Sequence, residues 1–201
     1  MDLIDLHRKT KEQIRFLNLS HLKEITRYVT GGAHEDIFDP LNRSQYYQWL
    51  TALMVVLRPK QVVELGGAMG ASALCMLAGL PTESKLYSIT LPENGLEFNF
   101  IKDEYPSLVR VVGNDRDFEL GVWPKDLKWR ETQVLFIDSE HTPEQLRFEL
   151  DTYIPLVGPD TLVVVDDIKL NDGLFQIWKS IAHPKLDVSD LHHSGFGIFY
   201  V

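Results

Sequence analysis

Short apolar runs, each closed by a polar or glycine-bearing turn, alternate with helix-periodic stretches through most of this chain. Val62–Leu65, Leu86–Ile89, Val109–Val112, Val134–Ile137 and Leu162–Val165 read as strands. Ala71–Leu80, Leu96–Glu104, Pro143–Tyr153 and Gly173–Ala182 read as helices. Strands that are apolar at every position belong in a parallel sheet covered by helices on both faces. The tail breaks the alternation. Leu186–Leu191 and Phe196–Val201 read as two strands joined around His193-Ser194-Gly195 with no helix between, an antiparallel addition at one edge. Ahead of the alternating part, residues 3–29 read as one or two amphipathic helices. Ser20 is placed to cap the second, Leu22, Ile25, Tyr28 and Val29 line one face, and Gly31-Gly32 end it. Asn42–Leu57 reads as a further helix stopped by Arg58-Pro59, and Asn114–Arg130 as irregular with room for a short helix.

Composition narrows the class of protein. A chain of 201 residues with 44% hydrophobic and 24% charged residues has the make-up of one globular domain with a full core. Residues 1–41 are expected as a helical extension and residues 42–201 as the core of that domain. The net charge of −9 argues against a nucleic-acid partner, whose phosphates need lysine and arginine. One cysteine, Cys75 in an apolar helix, reads as a buried thiol and excludes an internal disulfide framework. No apolar stretch approaches the roughly 18 residues of a membrane span. The N-terminus lacks the order of a signal peptide, so no membrane partner and a cytoplasmic location are expected.

The chemistry concentrates after the strands, because open α/β sheets bind ligands beyond the carboxyl ends of their strands. Val62-Val63-Glu64-Leu65-Gly66-Gly67-Ala68-Met69-Gly70-Ala71-Ser72 is a strand ending in an acid, a glycine turn and a helix start. A dinucleotide fingerprint would need a glycine where Leu65 stands. The stretch instead resembles motif I of the class I S-adenosylmethionine (SAM) dependent methyltransferases. That resemblance extends over about residues 42–201. It implies a Rossmann-like three-layer α/β sandwich with a seven-strand, mostly parallel sheet in the order 3-2-1-4-5-7-6, its last strand antiparallel. It also implies SAM contacts from Glu64, Gly66, Gly67, Gly70 and Ser72 in the loop, from Thr90 and Glu93 after the second strand, from Asp115 after the third and from Asp138 after the fourth. One departure stands out. The family usually ends its second strand with an acid for the SAM ribose, and this chain has Thr90; Glu93 or Glu97 would have to supply that carboxylate.

Strands four and five end in Asp138-Ser139-Glu140-His141 and Asp166-Asp167-Ile168-Lys169. Neighbouring strands would bring three carboxylates to one point, where they repel unless a cation joins them. A hard divalent ion such as Mg²⁺ resolves the conflict. Helix capping is the alternative use of these aspartates, but Thr142-Pro143-Glu144-Gln145 and Asn171 or Asp172 already fill the caps. The pattern resembles the metal-dependent small-molecule O-methyltransferases, and the block from Asp138 to Trp178 resembles the methyltransferase 24-type family that includes cephalosporin-hydroxylase-like and macrolide-sugar enzymes. The resemblance implies Asp138, Asp166 and Asp167 as metal ligands, and a general base at His141 by the catechol pattern or Glu140 by the sugar pattern. The acceptor it implies is a small molecule bearing a hydroxyl, and homodimers are common in the group. Lys169 offers a counter-reading in which it neutralises the aspartate pair and no metal is needed. The chain would then be a catalytically degenerate SAM- or metal-binding relative. His192 and His193 read as turn or interface residues, and Trp123 and Trp129 as either acceptor-pocket or core aromatics.

Overall fold

The computed structural model describes residues 1–18, 45–92 and 105–201. Its strands are β1 (Gln61–Leu65), β2 (Lys85–Thr90), β3 (Leu108–Val112), β4 (Val134–Ile137), β5 (Leu162–Asp166), β6 (Lys185–Asp187) and β7 (Phe196–Tyr200). They form one seven-stranded sheet in the order β3-β2-β1-β4-β5-β7-β6, the order implied by the resemblance. β7 pairs antiparallel with both β5 and β6, and the remaining pairs are parallel. The helices among the described residues are α1 (Leu3–Ile14), α2 (Tyr46–Leu57), α3 (Ala71–Gly79), α4 (Pro143–Tyr153) and α5 (Asp172–Ser180).

Strand alternation divides the core into two layers. Val62, Val134, Phe136, Leu162 and Val164 point to the side of α1, α2 and α3. Val63, Leu65, Leu135, Ile137, Val163 and Val165 point to the side of α4 and α5. Because successive side chains leave opposite faces of a strand, every strand position in the middle of the sheet is apolar or must find a buried partner. α1 belongs to the first layer. Leu6 is fully buried in it, and Lys11 Nζ reaches Asp190 Oδ2 at 2.6 Å in the β6–β7 connection.

The elements depart from the sequence reading in detail. β6 ends at Asp187 rather than running to Leu191, because Asp187 Oδ1 accepts the Ser189 N–H at 3.0 Å and turns the chain. α5 ends at Ser180, with Ile181 already extended ahead of Pro184. The irregular stretch carries two short 3-10 segments, Asp115–Leu120 and Trp129–Glu131. The helix expected over Leu96–Glu104, the Ser20 cap, the Gly31-Gly32 stop, the first residues of the Asn42–Leu57 helix, and the candidates Glu93 and Glu97 lie outside the described residues. No helix among the described residues is long and apolar enough to cross a membrane.

Candidate active site

The loop after β1 is held from below and from both sides. Glu64 has no exposed surface, and alternation points it to the α3 side of the sheet. Its carboxylate accepts Ser72 Oγ at 2.5 Å from α3 and Ser88 Oγ from β2. Burial raises the Glu64 pKa, and the two hydroxyl bonds oppose the rise. Glu64 and Ser72, expected at the cofactor, therefore brace the loop through each other and do not line the cleft above it. The N–H groups of Gly66 and Gly67 both donate to Ile89 O, at 3.3 and 2.8 Å, which ties the loop to the end of β2. Gly66 has φ +94°, and a Cβ there would lie 2.0 Å from the Asp138 carbonyl oxygen. Only glycine lets the β1 loop pass so close to the β4 loop. Gly70, at φ +93°, opens α3 without a side-chain cap.

Above these loops lies a cleft of about 260 Å³ at the carboxyl ends of β1 to β4. Gly66, Thr90, Asp115, Asp138 and Glu140 from the sequence candidates line it, together with Ala68, Leu91, Asn114, Ser139 and Gln145. Thr90, where the family carries an acid, donates its hydroxyl to Ala68 O at 3.1 Å. Asp115 is buried and accepts Gln145 Nε2 at 2.7 Å, while Gln145 Nε2 also reaches Glu149 Oε1 at 3.2 Å. Ser139 Oγ donates to the same Glu149 oxygen at 2.5 Å. Burial is the main cause of a Glu149 pKa pushed up to about 8, with the charge of Asp115 adding to it and the Ser139 bond opposing. The sequence reading gave Gln145 only a capping task and missed Glu149; the two share one face of α4 at i and i+4, and that spacing was the available signal.

The acidic centre sits beside the cleft. Ile137 pairs with Val165 in parallel register, so Asp138 and Asp166 are the next residues on adjacent strands. Asp167 follows in the left-handed region at φ +57°, and its N–H donates to Asp166 Oδ1 at 2.8 Å. Two histidines stand among these carboxylates. His141 Nε2 lies 3.2 Å from Asp138 Oδ1 and its Nδ1 lies 3.1 Å from Asp167 Oδ2. His192 Nδ1 lies 3.0 Å from Asp166 Oδ1 and 3.4 Å from Asp167 Oδ1. Burial, followed by the charge of Asp166, raises the Asp138 pKa well above the usual carboxylate range, and His141 opposes the rise. Burial raises Asp166 as well, against the pull of His192. The bond to Asp138 is the first cause that holds His141 up at about 9. Burial acts to lower His192, but Asp166, Asp167 and Asp138 together raise it.

Two expectations change here. Lys169 does not neutralise the aspartate pair: its Nζ binds Asp187 Oδ2 at 2.5 Å on β6. The close cluster of ligand-type atoms among the described residues is Asp166, Asp167 and His192, all within 4.8 Å of one another. Asp138 stands outside it and reaches it through His141. The cluster fits a cation, because Asp167 Oδ1 is buried and accepts no hydrogen bond. His192 was passed over as a turn residue. The strand order carried the missing signal: Asp166 pairs with Phe196 across β5 and β7, so the connection entering β7 must cross the carboxyl end of β5. Trp123 and Trp129 take the core option. Their rings meet edge to face at 5.1 Å, and Trp123 Nε1 donates to Tyr153 OH at 3.4 Å. Cys75 is fully buried, as expected, and its thiol pKa is raised by burial.

Comparison with known families matches the chain to a methyltransferase domain over residues 63–168, more than half its length. No curated protein sequence gives a significant match. Solved structures do. An O-methyltransferase from Bacillus cereus in complex with SAH superposes with a TM-score of 0.68 at 15% identity, covering 92% of each chain. The O-methyltransferase TomG from Streptomyces achromogenes, involved in tomaymycin synthesis and in complex with SAM, superposes at 0.68 and 15% identity over 96% of this chain and 97% of its own. An SAH-bound methyltransferase from Podospora anserina superposes at 0.59 and 13% identity over 92% and 97%.

Proposed function

Because the chain belongs to this methyltransferase-domain family, we propose that it is a SAM-dependent O-methyltransferase acting, with a divalent cation, on a hydroxyl of a small molecule. The observation that carries the reading is the meeting of two sites at the carboxyl ends of the central strands. Asp138 lines the cleft beside the glycine loop and also borders the carboxylate-histidine cluster. The SAH and SAM in the similar structures support the cofactor. Methyl transfer forms an O–CH3 bond and breaks S–CH3, leaving the electron pair on sulfur, while the hydroxyl proton passes to a base. SAM supplies the methyl group as a sulfonium. A bound divalent cation would supply Lewis-acid polarisation of the hydroxyl and would compete with His141 for the carboxylates that face it. Asp166 and Asp167 would hold that cation.

His141 is the base this geometry favours, since it sits between the cleft residue Asp138 and the cluster residue Asp167. Glu140 lines the same cleft as the alternative base. Gly66 keeps the β1 loop pressed to the β4 loop, so that cofactor and acceptor meet over a fixed floor. A second reading, a SAM- or metal-binding protein without turnover, draws on Thr90 in the place of the ribose acid. Calorimetric titration with SAM decides first, with saturation near one site per chain expected; absence of binding would sink the methyltransferase reading. If SAM binds, transfer of a labelled methyl group to a panel of hydroxylated acceptors separates the two readings, and His141→Gln should then lower kcat by about 10²-fold or more with KM for SAM little changed.

A further inference from the structure

We infer that His192 is a direct ligand of the cation at this site, which makes the site one for a first-row transition ion such as Mn²⁺ rather than for Mg²⁺. The inference rests on the cation-assisted reading above and deepens it. Three observations carry it. First, His192 Nδ1 faces two carboxylate oxygens at once, Asp166 Oδ1 at 3.0 Å and Asp167 Oδ1 at 3.4 Å. A single proton on Nδ1 serves one of them, and Asp167 Oδ1 is left buried without a hydrogen bond. Ligands held about 2.1 Å from one ion, at angles between square and tetrahedral, stand about 3.0–3.4 Å apart. An ion in the place of that proton would serve both oxygens, whose separations from the nitrogen match those of ligands sharing one ion.

Second, the ring is held for this purpose. His192 packs on Tyr46 with ring centroids 4.6 Å apart. Its loop is locked onto the loop after β5, where Lys169 N–H donates to Ser194 O at 2.7 Å. Gly195, at φ +92°, admits that contact, since a Cβ there would lie 2.8 Å from Lys169 N. Third, the donor set is mixed. Mg²⁺ selects oxygen ligands and keeps its waters, whereas imidazole nitrogen beside carboxylates suits Mn²⁺, Fe²⁺, Co²⁺ or Zn²⁺. Asp138, which lines the cleft, meets the cluster through His141, whose two ring nitrogens face Asp138 and Asp167.

The test uses chelator-stripped full-length protein titrated with Mn²⁺ and with Mg²⁺, followed by pulsed electron paramagnetic resonance of the Mn²⁺-loaded protein. We expect one Mn²⁺ per chain, bound roughly tenfold or more tighter than Mg²⁺, with an imidazole nitrogen coupling in the spectrum. That coupling should vanish in His192→Ala and His192→Asn and persist in His141→Gln. Three outcomes overturn the inference: Mg²⁺ binding as tightly as Mn²⁺, no nitrogen coupling in the unmodified protein, or a coupling lost in the His141 variant and kept in the His192 variants. Failure to bind either ion also overturns it and leaves the histidines as the counter-charges. SAM titration of the same sample reports the methyltransferase reading separately. SAM binding without nitrogen coupling removes this inference alone, and nitrogen coupling without SAM binding removes only that reading.

Discussion

A methyl group on residue 66 would collide with the Asp138 carbonyl at 2.0 Å and would sit on a backbone at φ +94°. Gly66→Ala is therefore expected to lose about 2–4 kcal/mol of stability, read by chemical denaturation, and to lose SAM binding in calorimetry. A variant as stable as the parent would show that the two loops are free to separate. Glycine's role was legible in the sequence because few residues but glycine turn so sharply there. Glu64 was legible as special but not in its task. A carboxylate before a glycine loop can face a ligand or the core, and only the alternation of β1 against α3 points it at Ser72 and Ser88. Asp138 and Asp166 were readable as neighbours once the resemblance supplied the strand order, because both stand at the carboxyl ends of their strands. His192 was not, since a histidine in a connection takes its meaning from whatever the connection crosses.

On α4 the cap and the buried face work together. Thr142 accepts the Gln145 N–H at 3.3 Å with Pro143 behind it, so the helix starts where the sequence places it. That start orients Gln145 and Glu149 toward Asp115 and Ser139. Glu149 has a folded pKa of about 8, above its ordinary 4.5. A raised carboxyl pKa favours the folded state fully below the unfolded value, and that advantage is lost as pH rises through the folded one. Stability should accordingly fall between pH 4.5 and 8, by an amount on the order of a few kcal/mol from this group. Glu149→Gln keeps an oxygen for Ser139 and Gln145 and removes the ionisation. Denaturation at pH 5 and pH 8.5 should show a smaller fall in the variant; an equal fall would place the dependence elsewhere. The sequence showed α4 as a capped amphipathic helix, but not this acid pair, because Asp115 follows β3, a separate strand well before α4 in the chain.

The whole molecule is tied at its ends. α1 buries Leu6 beside α2, and Lys11 and His7 both reach Asp190, two residues before His192. Leu6→Ala should cost about 2–4 kcal/mol, lowering Tm by roughly 2–4 °C per kcal/mol in a chain of this size. Thermal unfolding should stay a single transition if α1 and the sheet unfold together; a separate early transition would mark α1 as an independent appendage. From sequence alone came the alternation of elements, their approximate bounds, the glycine loop and the carboxylates at the strand ends. All are local properties, set by side-chain periodicity and by the few residues that tolerate unusual backbone. The tertiary structure alone decided that Lys169 turns away to Asp187, that Trp123 and Trp129 pack with Tyr153, and that His192 joins Asp166 and Asp167. Each of these depends on which loop lies over which strand end. That is set by packing both faces of the sheet at once, which no stretch of sequence contains by itself.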